Sequence, residues 1–315
     1  QGLEETKEEV LLEEKTEEAS ENASEKVLDQ QVLSKGGSPK TLTILHTNDV
    51  HGRAEESAKD GVTIELGYAK YKTFIDQKRA QGPTIAVDAG DVLHGTNFAT
   101  LSQGQSMIDL MEDLGIAAFV PGNHDFNYGY NRLKELSDGS GLPVLAANIT
   151  DESGNHPFAG NKLVDVDGIK VGLFGIATPE TKYKSNPRNT EGLSFNDEAE
   201  SADAMVEDLM NKGAEVIIFL SHLGTDESSE INTYTVLNSM TKKANVDVVI
   251  DGHSHSLFEN GQVYNGTHIA STGSYMNNIG ETTITLNPDG SKTVESKLNS
   301  ASELGKLEAN QEILN

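Results

Sequence analysis

Short apolar runs rich in β-branched residues recur along the chain from Thr41 onward. Seven of them stand out: TLTILH, PTIAVDAG, AAFVPG, LPVLAAN, KVGLFGIA, EVIIFLSH and VDVVIDG. Continuous apolar runs of this length predict strands that are buried on both faces. We therefore expect a sheet in the interior of the protein that is covered on both sides.

Amphipathic segments of helical length lie between these runs. They are YAKYKTFIDQKRA, SMIDLMEDLG, YNRLKELSDG and EAESADAMVEDLMNKG, and several have a glycine near the end, where helices commonly stop. This alternation predicts an α/β fold with an open sheet. The last part of the chain differs, because IGETTITLNPDGSKTVESKLN alternates like a hairpin around residues 287–290.

Residues 1–40 differ in composition from the rest of the chain. They hold eleven acidic and five basic residues, and their few apolar residues form no sustained heptad. Such a segment offers little apolar surface for packing. We expect an acidic N-terminal appendage, helical or disordered, with the folded domain beginning at Thr41.

Charge and cysteine content exclude several function classes. The chain carries 24 basic and 50 acidic residues, for a formal charge of -26, and it has no local basic patch, so a nucleic-acid groove is not expected. No apolar run approaches the length of a membrane span. The absence of cysteine excludes disulfides, thiolate nucleophiles and cysteine-based metal sites. Any metal must therefore be held by nitrogen or oxygen ligands.

Metal-competent side chains follow most of the apolar runs. Because ligands bind at the carboxyl ends of the strands in an open α/β sheet, we expect these side chains to converge. Seven donors, with one bridging carboxylate, would give two ions about four protein contacts each, and Asp91 is the expected bridge. Mixed nitrogen and oxygen donors favour zinc, manganese or iron. The set is Asp49, His51, Asp91, Asn123, His222, His253 and His255.

Five motifs in order, HTNDVHG, AGD, GNHDFNYG, SHLG and DGHSH, resemble those of the calcineurin-like metallophosphoesterases. The resemblance is specifically to the secreted 5′-nucleotidase and 2′,3′-cyclic-nucleotide phosphodiesterase family, over about residues 41–300. It implies a four-layer α-β-β-α sandwich instead of a single sheet. It also implies a catalytic domain over residues 41–302.

The resemblance implies a role for each site residue. One ion would be held by Asp49, His51, Asp91 and His255, and the other by Asp91, Asn123, His222 and His253. His124 would be a catalytic histidine that is not a ligand and stabilises the transition state and the leaving oxygen. Asn123 and His124 would both contact the substrate. The glycines of GNHD and DGHSH are expected to be turn residues with positive φ, with a role in function only by letting the backbone approach the metals.

The chain departs from the family pattern at Asn127, where the nucleotidases commonly carry an acidic residue that pairs with the catalytic histidine. Asn127 resembles the cyclic phosphodiesterases, whereas HTNDVHGR resembles the nucleotidases. Residues 303–315 resemble the start of a linker helix. We expect a C-terminal nucleotide-binding domain beyond that helix in the whole protein.

The resemblance implies hydrolysis of extracellular nucleotides, or other small phosphoesters, by water that two divalent ions activate. The first residue is Gln1 instead of Met, as expected after removal of a signal or at a boundary of the sequence, and we expect a secreted or cell-wall-attached bacterial protein. Two other hypotheses remain open. One is an inactive surface-binding module on the same scaffold, and the other is a sulfur-oxidising thiohydrolase.

Overall fold

The computed structural model describes residues 37–314. Among them, residues 37–40 and 285–293 belong to a small unit, and residues 41–284 and 294–314 to a large one. The small unit contains the predicted turn, in which the N–H of Asn287 donates to the carbonyl of Ser291 at 2.9 Å. Residues 1–36 of the predicted appendage lie outside the described residues, so its state stays a prediction.

Two large sheets and two short ribbons account for the strands of the described chain. The six-stranded sheet has the order β11-β12-β10-β9-β7-β6 and the four-stranded sheet the order β14-β13-β1-β4 in the following numbering. The strands are β1 (Lys40–Thr47), β2 (Ser57–Lys59), β3 (Val62–Glu65), β4 (Thr84–Asp88), β5 (Ile149–Thr150), β6 (Asn161–Val166), β7 (Ile169–Ala177), β8 (Ser194–Phe195), β9 (Val216–His222), β10 (Val248–Asp251), β11 (Gln262–Tyr264), β12 (Thr267–Ala270), β13 (Asn278–Leu286) and β14 (Lys292–Ser300).

Strand direction decides which strand ends meet. β1 and β4 are parallel, and so are β7, β9, β10 and β12 in the other sheet, while β6 and β11 run antiparallel at its two edges. The carboxyl ends of the parallel strands in each sheet therefore lie along one edge of that sheet. Loops that leave these ends are placed to form a site.

Helices connect the strands, and those over 67–81, 105–114, 130–139 and 198–211 confirm the four predicted helices. None of the described helices is long and apolar enough to cross a membrane. The helices are α1 (Gly67–Gln81), α2 (Asn97–Leu101), α3 (Gln105–Leu114), α4 (Tyr130–Gly139), α5 (Thr181–Lys184), α6 (Glu198–Asn211), α7 (Thr233–Ser239), α8 (Ala301–Leu304) and α9 (Gln311–Leu314).

Helices cover one face of each large sheet. On the four-stranded sheet, Leu45 of β1 shares a buried cluster with Tyr71 of α1 and Met111 of α3. On the six-stranded sheet, Phe174 of β7 shares a second buried cluster with Val206 of α6. Burial of apolar surface at about 25 cal/mol per Å² makes these two layers the main source of stability.

The opposite face of each sheet is also buried. Ile44 and Val87 on the four-stranded sheet, and Leu173 and Ile218 on the six-stranded sheet, are 0 % exposed. The two sheets and their outer helices form the four-layer α-β-β-α sandwich, which is confirmed. The single open sheet expected from the apolar runs alone is wrong. A strand that is buried on both faces has the same apolar sequence pattern whether the protein contains one sheet or two.

Two of the seven predicted strands are wrong. AAFVPG and LPVLAAN contribute only isolated parallel bridges, which join Asp88 to Phe119, Phe119 to Val144 and Leu145 to Ala159. Proline lacks an N–H and cannot continue a ladder, and these runs contain Pro121 and Pro143. These bridges nevertheless place the segment around Phe119 beside Asp88, the last residue of β4.

Candidate metal centre

The seven predicted ligands lie at the carboxyl ends of strands from both large sheets. The four-stranded sheet supplies the loops after β1 and β4, and the six-stranded sheet supplies the end of β9 and the loop after β10. The remaining ligand, Asn123, comes from a 3-10 turn over Asn123–Phe126, which follows the bridge at Phe119. In chain order they are Asp49, His51, Asp91, Asn123, His222, His253 and His255.

One candidate ion site consists of Asp49, His51 and His255, whose ligand atoms all lie within 4.8 Å of one another. The Nε2 atoms of the two histidines are 3.3 Å apart, and that of His255 is 3.5 Å from Oδ1 of Asp49. Asn48 fixes the carboxylate by donating from Nδ2 to Oδ2 of Asp49 at 2.7 Å. The buried amide of Asn48 in turn accepts a hydrogen bond from the N–H of Thr272.

The second candidate ion site consists of Asp91, His222 and His253, again with ligand atoms within 4.8 Å. Nε2 of His222 lies 3.2 Å from Oδ2 of Asp91. Oδ1 of Asn123 lies 3.1 Å from Nδ1 of His253, which places this amide oxygen beside the cluster. The structure brings the predicted residues together in the expected two groups, and their binding of metal stays a prediction.

Asp91 lies between the two clusters. Its Oδ2 is 3.2 Å from Nε2 of His222 in one cluster and 3.9 Å from Nε2 of His51 in the other. Its Oδ1 accepts a hydrogen bond from the N–H of His124 at 2.8 Å. A carboxylate in this position has an oxygen that faces both groups, as a bridging ligand requires.

Five of the seven predicted ligands have left-handed backbone conformations. Their φ angles are 53° for Asp49, 49° for His51, 59° for Asp91, 79° for His253 and 53° for His255. For residues with a side chain this region is sparsely populated and strained, and such strain concentrates at functional sites. The loops therefore hold their side chains inward at a conformational cost that tertiary contacts offset.

The glycines of GNHD and DGHSH are not turn residues with positive φ, so that expectation is wrong. Gly122 has a φ of -82°, and the positive-φ glycines of the described chain do not include Gly252. The reason for glycine is space: a Cβ on Gly122 would lie 2.1 Å from Oδ1 of Asp91. At Gly252 it would lie 3.1 Å from Oδ2 of Asp49. Both glycines let the backbone pass close to ligand side chains.

Electrostatics in the second cluster reflect a buried carboxylate facing buried imidazoles. Burial would raise the pKa of Asp91, but the charges of His222 and His51 outweigh it and hold that pKa below its usual range. Burial would lower the pKa of His222, but the carboxylate of Asp91 raises it to about 10. Burial lowers the pKa of His51 and of His253, which favours the neutral imidazole that binds metals.

A buried, orphaned nitrogen supports the fit of a metal ion. Nδ1 of His222 hydrogen-bonds to the carbonyl of Ala89 at 2.6 Å, so Nε2 points into the cluster. This buried Nε2 lies 3.2 Å from Oδ2 of Asp91, but not in hydrogen-bonding geometry, and it has no other hydrogen-bond partner among the described residues. Such atoms are rare and are explained by an ion or a water molecule. The donor set of imidazole, carboxylate and amide fits zinc, manganese or iron.

His124 lies beside the two clusters with its ring held by Asn127. Nδ2 of the Asn127 amide is 3.2 Å from Nδ1 of His124. When the amide donates to Nδ1, the neutral ring carries its proton on Nε2. Asp125 does not replace the missing acid, because its carboxylate accepts hydrogen bonds from the backbone N–H groups of Asp91, Val92, Leu93 and Gly122.

A pocket of about 400 Å³ opens over both clusters. Beside the predicted residues it is lined by Tyr275 and Lys184, which the sequence analysis missed. Tyr275 has a φ of 60°, and the guanidinium of Arg53 lies 4.3 Å from its ring centroid. The centroid of the His94 ring lies 6.5 Å from that of the His124 ring.

Glu180 is the other residue near the site that the sequence analysis missed. It follows β7 in the segment TPETKYK, and only 2 % of it is exposed. Its Oε2 lies 2.7 Å from Nε2 of His253 and 2.7 Å from Nζ of Lys184. Glu180 follows the end of a parallel strand, as most of the predicted ligands do. This position in the sequence could have indicated that Glu180 lies near the site.

Comparison with known proteins agrees with this geometry. The model of the calcineurin-like phosphoesterase family matches residues 42–257. This chain belongs to that family. It is 34 % identical over 235 residues to the snake venom 5′-nucleotidase of Naja atra and 30 % identical over 224 residues to the 5′-nucleotidase of Vibrio cholerae. These matches cover 70 % and 68 % of this chain. The resemblance stated from the five motifs is confirmed.

The chain spans only 42 % and 40 % of the length of these two relatives. Among solved structures, a 5′-nucleotidase precursor from Thermus thermophilus superposes with a TM-score of 0.71 at 27 % identity, covering 87 % of this chain and 57 % of that one. YfkN from Bacillus subtilis, a calcineurin-like phosphoesterase, superposes with a TM-score of 0.75 at 24 % identity, covering 88 % and 95 %. The protein is a member of the calcineurin-like phosphoesterase family with two candidate metal sites, and it is similar to 5′-nucleotidases over part of their length.

Proposed function

We propose that this chain is the catalytic domain of a two-metal phosphoesterase that hydrolyses nucleotides, as a 5′-nucleotidase or a 2′,3′-cyclic-nucleotide phosphodiesterase. The observation that carries the proposal is the place of Asp91, whose Oδ2 faces His222 of one cluster at 3.2 Å and His51 of the other at 3.9 Å. Support for a nucleotide substrate comes from the named activities of the two relatives.

Two divalent ions held by the seven residues would polarise a phosphoryl group and activate water as the nucleophile. Side chains of the protein would orient the phosphoryl group and protonate the leaving oxygen. The Asn123 amide would orient the phosphoryl group from its place beside the second cluster. His124, when protonated, would donate the proton on Nε2 to the leaving oxygen. Asn127 would keep the imidazole ring oriented for this transfer through its contact with Nδ1.

The test is a substrate panel on the chain reconstituted separately with zinc, manganese and iron. The panel holds AMP, ADP, ATP, a UDP-sugar, 2′,3′-cyclic AMP, an aryl phosphate and a bis-aryl phosphate. Metal-dependent phosphate release supports the proposal, and comparison of the two aryl esters separates monoester from diester hydrolysis. Asp91→Asn is the matched control, because it keeps the shape of the side chain and removes its charge.

Two outcomes overturn the proposal. A chain that binds both metals but hydrolyses no phosphoester would be the inactive binding module. Release of sulfate from a sulfur-containing substrate, without release of phosphate, would identify the thiohydrolase. A sulfate thiohydrolase from Thermus thermophilus superposes with a TM-score of 0.74, but at 17 % identity this shows the fold alone.

We further propose that the protein acts outside the cell, as a secreted or cell-wall-attached enzyme. Support comes from relatives found in snake venoms and from the net charge of -26, which suits an exported protein in a salty medium. Immunodetection in the medium, cell-wall and cytosolic fractions of the source organism tests this. Detection in the cytosol alone would contradict it.

A further inference from the structure

A buried carboxylate connects the second candidate ion site to a basic side chain at the pocket. Glu180 is 2 % exposed, and one of its oxygens, Oε2, contacts both Nε2 of His253 and Nζ of Lys184 at 2.7 Å. Nδ1 of the same imidazole faces Oδ1 of Asn123 at 3.1 Å. The ring therefore has one nitrogen toward the candidate ion and the other toward a carboxylate, which is the arrangement that orients metal-binding histidines.

Lys184 lies one helical turn after Glu180, at the end of α5, and its side chain is 49 % exposed. It is the one lysine or arginine among the described residues that line the pocket over the clusters. An ammonium group has three N–H donors, and a contact with Glu180 uses one of them. The hydrogen bond to Glu180 also raises the pKa of Lys184, so the amine is charged at neutral pH.

We propose that Lys184 binds the phosphoryl group of the substrate in this pocket, and that Glu180 is a positioning residue that holds both Lys184 and His253. The inference rests on the proposed phosphoesterase function and adds a substrate contact to it. A phosphoryl group carries charge on several oxygens, and a lysine ammonium binds such a group as a point charge. Lys184 supplies this charge from within the described domain.

A purely structural role for Lys184 makes a different prediction. As an exposed partner in an i,i+4 ion pair, it would contribute little to stability and nothing to ligand binding. Lys182 is a matched control, because it lies on the same short helix, is exposed and does not line the pocket. Lys182→Met and Lys184→Met change the charge of the protein equally, so a difference between them reports on position.

The experiment measures the affinity of the metal-loaded chain for inorganic phosphate by calorimetry, with metal content measured by elemental analysis. We expect Lys184→Met to bind phosphate about 10- to 100-fold more weakly at unchanged metal content, as expected for loss of a hydrogen bond to a charged group. Lys184→Arg should restore most of the affinity. Lys182→Met should bind like the wild type.

Glu180→Gln separates positioning from substrate contact. We expect it to weaken phosphate binding and also to weaken metal binding by about 10- to 100-fold, the usual effect of removing a carboxylate behind a histidine ligand. Phosphate affinity of Lys184→Met equal to that of the wild type would overturn the inference and leave the phosphoesterase proposal standing. A metal-loaded wild type that neither binds phosphate nor hydrolyses any ester would overturn both.

Discussion

The carboxylate of Asp91 and the imidazole of His222 face each other at 3.2 Å, Oδ2 to Nε2, with side-chain exposures of 2 % and 0 %. Each is anchored on its other side, Asp91 by the N–H of His124 and His222 by the carbonyl of Ala89. These hydrogen bonds orient the two side chains toward each other. If Asp91 bridges two ions, as we predict, both ion sites depend on this one side chain.

The first prediction concerns this dependence. Asp91→Asn should lose more metal than His51→Ala, because Asp91 faces both clusters and His51 belongs to one. An amide is also neutral and binds two cations poorly. Elemental analysis after reconstitution measures both variants side by side. Equal metal content in the two variants would contradict a bridging role.

The second prediction concerns His124. His124→Ala should reduce turnover by about 10²- to 10⁴-fold, the usual contribution of a positioned acid or base, while both metals remain bound. The metals should stay because the ring lies beside the clusters and contacts Asn127, not a ligand side chain, through Nδ1. Steady-state kinetics and metal analysis on the same sample check both parts. Full activity of the variant on nucleotides would remove His124 from the mechanism.

The third prediction concerns the amide of Asn127. Asn127→Asp would place a carboxylate at the position now 3.2 Å from Nδ1 of His124. A carboxylate favours the protonated imidazole, whereas a neutral amide orients the ring without stabilising its charge. The alkaline limb of the pH–rate profile should therefore move to higher pH. An unchanged profile would show that the missing acid has no effect on the protonation of His124 during turnover.

The fourth prediction concerns a histidine away from the site. His46 on β1 is 1 % exposed, and its Nε2 contacts Oγ1 of Thr282 at 3.0 Å. Oγ of Ser296 lies 2.7 Å from this hydroxyl oxygen of Thr282. The same Oγ lies 2.7 Å from Nε2 of His268. Burial, with a smaller effect of the His268 charge, lowers the pKa of His46 to about 3. The folded protein therefore holds this ring neutral.

The sign of the pH effect follows from that lowered pKa. Unfolded chains protonate His46 below about pH 6.5, so its contribution to stability is present above that pH and is lost as the pH falls toward 3. We expect the unfolding free energy of the wild type to fall, relative to His46→Gln, by about 1.4 kcal/mol per pH unit between pH 6 and 4. Urea unfolding in the presence of a chelator measures this. Parallel pH dependences of the two proteins would contradict it.

Much of the site was predictable because each ligand lies close in sequence to the apolar run that precedes it. A polar ligand directly after a buried run can be read from sequence, and parallel strands bring such positions together whatever their separation in the chain. Asp49, His51, Asp91, His222 and His253 were found in this way. The grouping into two clusters followed from the family resemblance, because periodicity carries no information on which loops meet.

The features that the sequence did not predict depend on three-dimensional neighbours. Tyr275 reaches the pocket from a loop after β12, with no motif around it. The division of the strands between two sheets has the same origin, because apolar runs report burial and not the partner that buries them.

The two ligand clusters draw their side chains from loops of both large sheets, so the ions would add a further link between the two halves of the sandwich. Ions that bind the native state alone shift the folding equilibrium by mass action, by about 2.7 kcal/mol at a concentration 100 times the dissociation constant. The melting temperature of this domain should then rise with free metal concentration. Thermal shift would serve as a titration of the site, independent of any substrate.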